Sequence, residues 1–96
     1  NEVPKDYALL GNYPNPFNPS TTIEFSLPES LPVSFTVYNM FGESVYTEEI
    51  SNTVAGVNRI HWDAKNKFGI ELSSGIYIYA ISNPIITLTG KMVLQK

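Results

Sequence analysis

The sequence predicts an all-β domain built as an antiparallel β-sandwich of about seven strands. Residues of alternating polarity run from Thr22 to Leu27, from Val33 to Tyr38 and from Val57 to Trp62, and turn-forming residues bound each run. The candidate strands follow one another roughly every ten to twelve residues, as expected of a sandwich. No segment keeps an apolar period of about 3.6 residues, so nothing in the sequence favours a helix.

A proline-rich segment at residues 12–19, which we call the proline ribbon, precedes the first predicted strand. Pro14, Pro16 and Pro19 each fix their own φ, lack a backbone N–H and bias the preceding residue away from the helical region. A helix is therefore excluded here. The side chains of Asn15 and Asn18 are suited to closing Asx-type turns, so we expect an extended, turn-linked ribbon.

Two large apolar residues, Tyr13 and Phe17, are the expected anchors of the proline ribbon on the domain. Its fixed φ angles reduce the entropy lost on docking, so we expect it to pack along the sandwich as an ordered part. The period then becomes two over Thr22–Leu27, which predicts a half-buried strand with Phe25 inward.

Three more strands are expected in the middle of the chain. The alternation of Val33–Tyr38 places Phe35 and Val37 inward. Ser44–Ile50 has two adjacent glutamates and no clean alternation, which favours an edge strand. In Val57–Trp62 the large indole of Trp62 marks the inward side.

The last third of the chain supplies the remaining strands. Gly75–Ile81 is apolar almost throughout, which predicts a central strand covered on both faces. A short strand at Ile70–Leu72 is expected before it, in a long polar loop. Ile85–Lys96 is expected to form the closing strand or strands.

The composition allows one domain with one core, because the chain has 96 residues of which 43% are hydrophobic. Residues 1–6 are expected to be the remnant of a linker and residues 7–96 the domain. The sequence has no initiator methionine, no apolar leader and no apolar stretch long enough to span a bilayer. We therefore expect a module taken from the end of a longer protein.

A net charge of −3, with the basic residues scattered, excludes the basic surface that nucleic-acid binding requires. The absence of cysteine neither favours nor opposes secretion. Internal repeats and low-complexity tracts are not evident.

Several motifs resemble one bacterial family. The opening L-x-N-Y-P-N-P-F-N-P-S-T-T-I-x-F-x-L-P is similar to the start of the type A carboxy-terminal sorting domain of type IX secretion. The Val37-Tyr38-Asn39 run with Gly42 resembles the family's V-Y-N-x-x-G turn. The ending Lys91-Met92-Val93-Leu94-Gln95-Lys96 resembles its K-M-V-L-x-K terminus.

A further block joins Trp62-Asp63 and Gly69 to the run Ser74-Gly75-Ile76-Tyr77-Ile78-Tyr79, and it is similar to the family's W-D-G … G … S-G-V-Y-x-Y pattern. The immunoglobulin-like domain of flagellar hook-capping proteins shares this block, so it indicates an immunoglobulin-like fold more than a role. The positions that the resemblance marks as structural are Asn12, Pro14, Pro16, Phe17, Pro19, Trp62, Gly75, Tyr77 and Tyr79.

Four positions depart from the family pattern. Ala64 stands where glycine is usual, and Ala80 where a basic residue is common. Pro84 stands where glycine is common, and Gly90 where a polar or basic residue usually precedes the lysine.

No constellation in the sequence indicates catalysis, a cofactor or a metal. Nucleophilic catalysis needs a nucleophile beside a base, but the chain has one histidine, no cysteine and scattered carboxylates. His61 lies on the expected outer face of its strand, without partner ligands. Asp63, Asn66 and Glu71 line one loop, but their spacing fails the calcium-hand requirement, which leaves turn-stabilising Asx bonds or adventitious calcium.

Trp62, Tyr77 and Tyr79 admit two interpretations. A row of exposed rings would form a sugar-stacking platform, whereas buried rings would belong to the core and to a tyrosine corner, in which a Tyr hydroxyl bonds to nearby backbone. The pattern favours core and corner.

The resemblance implies a non-catalytic sorting module that directs an upstream cargo in the same chain across the outer membrane, to the cell surface or the medium. Its implied partner is the outer-membrane secretion machinery, and its implied address is Lys91, Met92, Val93, Leu94 and Lys96. Alternation places Met92 and Leu94 inward in a terminal strand at a sheet edge, where strand addition is possible. Two alternatives remain: a ligand- or carbohydrate-binding accessory module of a secreted glycosidase, and a structural spacer or assembly domain.

Overall fold

The computed structural model of the chain describes residues 6–96, which form seven β-strands in two packed antiparallel sheets. The strands are β1 (Ala8–Tyr13), β2 (Thr21–Leu27), β3 (Val33–Tyr38), β4 (Ser44–Ile50), β5 (Gly56–Trp62), β6 (Gly75–Ser82) and β7 (Thr87–Leu94). One sheet has the order β1-β2-β5 and the other β4-β3-β6-β7. The predicted immunoglobulin-like sandwich is therefore confirmed. No helix among residues 6–96 is long and apolar enough to cross a membrane.

The three-stranded sheet contains a strand that the sequence did not predict. Strand β1 pairs with β2 from Ala8 opposite Ser26 to Tyr13 opposite Thr22, with a register shift between Leu9 and Gly11. Gly11 has a φ of 113°, which a residue with a side chain rarely adopts. This irregularity explains why β1 lacks the alternation by which strands are recognised.

Strands β2 and β5 pair without a shift from Thr21 opposite Trp62 to Leu27 opposite Gly56. Strand β5 alternates as predicted, since Ile60 and Trp62 are buried whereas Arg59 and His61 are exposed. Because β5 ends the β1-β2-β5 sheet, its second edge has no neighbouring strand among residues 6–96.

In the four-stranded sheet, β4 lies at the edge, as its glutamates predicted, and β6 lies between β3 and β7. The prediction that Gly75–Ile81 is covered on both faces was wrong. Tyr77, Tyr79 and Ile81 face the core, but Ile76 and Ile78 on the other face are only half-buried. No second layer lies over that face among residues 6–96.

One smaller expectation also needs correction, and the closing segment agrees with expectation. Ile70–Leu72 is not a strand, and a single isolated bridge between Lys65 and Glu71 stands in its place. The segment expected at Ile85–Lys96 is one strand, Thr87–Leu94, preceded by a turn in which the Asn83 side chain accepts the N–H groups of Ile85 and Ile86.

The core forms where the two sheets face each other, and Trp62 lies near its centre. Its ring centroid is 6.1 Å from that of Phe17, 6.4 Å from that of Phe35 and 5.9 Å from that of Tyr46. All six residues predicted to be core are buried, namely Phe25, Phe35, Val37, Trp62, Tyr77 and Tyr79. Burying such rings between sheets supplies most of the apolar area that stabilises a small sandwich.

The proline ribbon packs on the sandwich through one of its two predicted anchors. Phe17 is 1% exposed, whereas Tyr13 is 82% exposed and does not anchor the ribbon. The expected linker, residues 1–6, lies outside the described residues except for Asp6, and the boundary at residue 7 stays a prediction.

Candidate functional site

The candidate site is the end of β7, where the side chains divide between the core and the solvent. Met92 and Leu94 are buried, at 0% and 1% exposure, as alternation predicts. Lys91 and Lys96 are exposed, and Val93 is half-buried on the outer face. In register, Lys91 lies opposite Ile78 of β6, and Val93 lies opposite Ile76.

The outer edge of this segment is not free, because the proline ribbon covers it. The backbone N–H of Phe17 donates to the carbonyl of Val93 at 2.9 Å, and the N–H of Gln95 donates to the carbonyl of Phe17 at 2.9 Å. Phe17 thus forms a parallel bridge with Leu94. The expectation that the edge of the terminal strand is open for strand addition is wrong over this segment.

A side chain of the proline ribbon completes the cover. The Asn15 Oδ1 atom accepts the N–H of Val93 at 3.0 Å, and the Asn15 Nδ2 atom donates to the carbonyl of Lys91 at 3.4 Å. Asn15 therefore bonds to β7 instead of closing the Asx turn that was predicted. The sequence alone did not indicate this contact, because its partners are 76 and 78 residues away and nothing in the spacing relates them.

Lys96 binds the loop that precedes β6. Its backbone N–H donates to the Ser74 Oγ atom at 3.0 Å, and the Lys96 Nζ atom lies 3.3 Å from the Glu71 Oε1 atom. Lys91 differs, because within the described part of the chain it has no carboxylate at ion-pair distance. The two lysines of the expected address thus differ: Lys96 is paired with Glu71, and Lys91 has no carboxylate partner among residues 6–96.

The remaining motif residues have structural contacts. The Asn12 side chain donates to the Thr21 Oγ1 atom at 3.2 Å, and that hydroxyl donates to the Pro14 carbonyl at 2.9 Å. Pro14, Pro16 and Pro19 are exposed, so they act through the backbone rather than by packing. Gly75 begins β6 opposite Leu94.

The tyrosine corner predicted for this region is present at Tyr77, whose hydroxyl donates to the Ser73 carbonyl at 2.7 Å. Trp62 and Tyr79 are 2% and 1% exposed, and Tyr77 is 6% exposed. Buried rings cannot stack on a sugar, so these three aromatics form no carbohydrate platform.

The oxygens of the loop at 63–71 have partners within the protein. The Asn66 Oδ1 atom accepts the N–H groups of Phe68 and Ile70, and the Glu71 carboxylate accepts from Lys96. Among residues 6–96 no cluster of three or more His, Asp or Glu side chains is arranged to hold a metal ion. His61 is exposed on β5, opposite Thr22.

Two tyrosines have perturbed acidity. Burial, followed by the hydrogen bond to Glu48 and the negative charges of Glu48 and Asp63, raises the pKa of Tyr46 to about 12. The Tyr46 hydroxyl donates to the Glu48 Oε1 atom at 2.9 Å. Burial also raises the pKa of Tyr79. Both shifts favour the protonated hydroxyl.

Comparison with known proteins identifies one family. The family described as "Secretion system C-terminal sorting domain" matches residues 12–95, which include the proline ribbon and the expected address except for Lys96. No curated protein matches the sequence.

Solved structures with the same fold include two from Porphyromonas gingivalis. Dimeric latent PorU superposes with a TM-score of 0.70 at 22% identity, over 97% of this chain and 10% of PorU. PorZ, described as an essential bacterial surface component of the type-IX secretion system, superposes with a TM-score of 0.63 at 21% identity, over 88% of this chain and 11% of PorZ. This chain thus spans about a tenth of either protein.

A third similar structure is FlgD from P. aeruginosa, with a TM-score of 0.59 at 18% identity, over 98% of this chain and 77% of FlgD. At these identities the superpositions show a shared fold, and the family match alone relates this chain to a role.

Proposed function

The chain belongs to the secretion system C-terminal sorting domain family, and on that premise we propose that it directs an attached cargo protein across the outer membrane by type IX secretion. The observation that carries the proposal is the family match over residues 12–95, which reaches into the terminal motif. The cargo is an upstream domain of the same chain, and its destination is the cell surface or the medium. The sorting domain itself performs no chemistry on that cargo.

We propose Lys91, Met92, Val93, Leu94 and Lys96 as the address. Met92 and Leu94 are buried, whereas both lysines are exposed. This difference supports two separate roles: the apolar side chains hold the strand in register, and the lysines contact a receptor. Since the proline ribbon occupies the backbone groups of Lys91, Val93 and Gln95, recognition in the folded domain proceeds through side chains rather than strand addition.

The partner in this proposal is the outer-membrane secretion machinery. An exposed ammonium group favours an acidic surface on that partner, because charge complementarity sets both the rate of encounter and the orientation of the complex. Lys91 is the better candidate for such a contact, since Lys96 already has Glu71 as a neighbour.

The test compares two kinds of change in the full 96-residue chain fused to a folded reporter, in a host that has the machinery. Deleting residues 92–96 should abolish extracellular reporter and leave folded reporter in the periplasm. Because this deletion also removes buried Met92 and Leu94, loss of export alone does not separate a lost address from a lost fold.

The second change separates loss of the address from loss of the fold. Lys91→Ala combined with Lys96→Ala removes two surface charges and leaves the core intact, so the melting temperature should stay within a few degrees while export falls. Arg59→Ala is the matched control. Arg59 is an exposed cation that pairs with Glu24, and both residues lie in the β1-β2-β5 sheet, which does not contain β7. Wild-type export by the deletion variant, at equal expression, would refute the sorting role and favour a structural spacer.

A further inference from the structure

Two turns of the domain have the same sequence pattern and the same hydrogen bonds. In the first, at residues 39–43, the Asn39 Oδ1 atom accepts the N–H groups of Phe41 at 2.9 Å and Glu43 at 3.0 Å. The Asn39 carbonyl accepts the N–H of Gly42 at 3.0 Å, and the Asn39 N–H donates to the carbonyl of Glu43 at 3.0 Å. Gly42 has a φ of 80°.

The second turn, at residues 66–70, repeats these contacts. The Asn66 Oδ1 atom accepts the N–H groups of Phe68 at 2.9 Å and Ile70 at 3.0 Å. The Asn66 carbonyl accepts the N–H of Gly69 at 3.0 Å, and the Asn66 N–H donates to the carbonyl of Ile70 at 2.8 Å. Gly69 has a φ of 81°. Both turns thus follow the pattern N-x-F-G-x, with glycine where a positive φ is required.

Each turn holds a phenylalanine out of the core. Phe41 is 88% exposed and Phe68 is 77% exposed, and Met40 and Ile70 beside them are also exposed. A turn needs neither ring for its own bonds, because the asparagine and the glycine supply them. The structure of the turns therefore does not explain why four large apolar side chains are exposed in one region of the surface. Such exposure indicates a binding partner. We call Met40, Phe41, Phe68 and Ile70 the aromatic tip.

The aromatic tip lies at the end of the sandwich where the address ends. The two turns are linked, because the N–H of Lys67 donates to the carbonyl of Val45 at 3.1 Å, just after the first turn. The loop of the second turn also holds Lys96, through Glu71 and Ser74. A groove of about 310 Å³ opens beside the first turn, lined by Met40, Phe41, Val45, Leu72 and the start of β6.

We propose that the aromatic tip and its groove form the docking surface for a protein of the secretion machinery. The inference rests on the proposed sorting function and adds the place and the chemistry of the contact. The partner offers an apolar cleft for Phe41 and Phe68 and an apolar side chain for the groove. Rings held on rigid turns lose little entropy on binding, which is what makes aromatic residues effective anchors.

The charges around the aromatic tip favour a protein partner over a bilayer. The first turn and the β5–β6 loop with its contact Lys96 carry three carboxylates and three lysines, namely Glu43, Asp63, Glu71, Lys65, Lys67 and Lys96. Membrane-binding loops add an excess of cations to their apolar residues, because anionic headgroups attract them. A neutral apolar surface with a concave groove fits a protein surface of complementary shape instead.

The test is the double variant Phe41→Ser and Phe68→Ser in the reporter fusion of the full chain. We expect the ratio of extracellular to periplasmic reporter to fall by about tenfold or more, since anchors of this kind carry most of an interface's affinity. The melting temperature should hold, because both rings are exposed. Replacing both phenylalanines by leucine keeps the surface apolar and should restore most of the export.

The matched control lies at the opposite end of the sandwich. Val54 in the β4–β5 loop and Ile85 in the β6–β7 turn are 54% and 74% exposed, so Val54→Ser with Ile85→Ser also removes two exposed apolar side chains. Export at the wild-type ratio is expected from this control. An equal loss from both pairs would mean that general solubility matters rather than the aromatic tip, and would overturn the inference.

The inference and the sorting function fail in different ways. Wild-type export by the phenylalanine-to-serine variant, with export abolished by deletion of residues 92–96, overturns the docking surface and leaves the sorting role in place. Two further measurements use the purified full chain: Phe-dependent binding to vesicles of phosphatidylethanolamine and phosphatidylglycerol, or Phe-dependent dimers in sedimentation equilibrium. Either result would assign the aromatic tip to a bilayer or to a second copy and overturn the protein partner.

Discussion

The Asn15 side chain binds the backbone of Val93 at the edge of β7, since its Oδ1 atom accepts the Val93 N–H at 3.0 Å. The chain reaches this contact by changing sheets: β1 pairs with β2 in one sheet, and Phe17, a few residues later, bonds to β7 in the other. The proline ribbon is therefore the connection that ties the two sheets together along one side. Without it, the edge of β7 from Lys91 to Gln95 would be open to pairing with other chains.

The first prediction concerns this contact. Asn15→Ala should speed amide exchange at Val93 and lower the free energy of unfolding by about 1 kcal/mol, the usual cost of a lost hydrogen bond. Hydrogen exchange followed by NMR reports both quantities. Asn18→Ala is the control, because Asn18 is exposed on the same ribbon and should leave Val93 protected. Equal exchange at Val93 in wild type and Asn15→Ala would contradict the bond.

The fold followed from local patterns where those patterns were regular. Strands β3 and β5 alternate as predicted and β2 does so up to Phe25, and the bounds of all three were predicted within a residue or so. Strand β1 was missed, because its bulge at Gly11 breaks the alternation and its pairing with β2 depends on a register that the sequence does not state. The open outer face of β6 was missed because an apolar run looks the same whether one or both of its faces are covered.

The candidate site was predictable in its orientation and not in its surroundings. Alternation alone placed Met92 and Leu94 inward, but no spacing rule could pair Asn15 with residues 76 and 78 positions away. The N-x-F-G-x pattern occurs twice, at residues 39–43 and 66–70, but the sequence alone does not show that both phenylalanines are exposed. The structure also explains one departure from the family pattern. Ala64 has a φ of 62°, in the left-handed region that favours glycine, which is why glycine is usual at this position of the family.

The second prediction concerns the centre of the core. Trp62→Ala should lower the free energy of unfolding by about 3 to 5 kcal/mol, because it empties a site that three aromatic rings surround. Trp62→Phe should cost less, since it keeps a ring there and removes a buried N–H that has no acceptor among the described residues. Urea unfolding of wild type, Trp62→Ala and Trp62→Phe measures both changes in the free energy of unfolding. A loss under about 1 kcal/mol for alanine would place Trp62 outside the core.

The third prediction is a decline of stability in strong base. The pKa of Tyr46 is raised from 10.0 in the unfolded chain to about 12 in the fold, chiefly by burial and then by Glu48. The unfolded state therefore loses its proton first, and stability that is fully present below pH 10 falls as the pH rises towards 12. Urea midpoints at pH 8, 10 and 11 should fall in wild type and fall less in Tyr46→Phe. Parallel curves for the two proteins would exclude Tyr46 as a cause.

The last prediction concerns Gly90, which departs from the family pattern. An added Cβ there would lie 2.5 Å from the Cζ and Oη atoms of Tyr79 and 2.9 Å from the Cδ2 atom of Leu9. Tyr79 lies opposite Gly90 in the β6–β7 pairing and its ring is buried, so it has little room to move. Gly90→Ala should thus lower the free energy of unfolding by about 1 to 3 kcal/mol, the range for overpacking.

A double-mutant cycle identifies the cause of that loss. In the background of Tyr79→Leu, which removes the ring atoms nearest the new methyl group, Gly90→Ala should cost clearly less than in wild type. Thr89→Ala, an exposed neighbour on the same strand, should change stability by under about 0.5 kcal/mol in either background. If Gly90→Ala cost the same with and without the tyrosine, the glycine would be required for a reason other than contact with Tyr79.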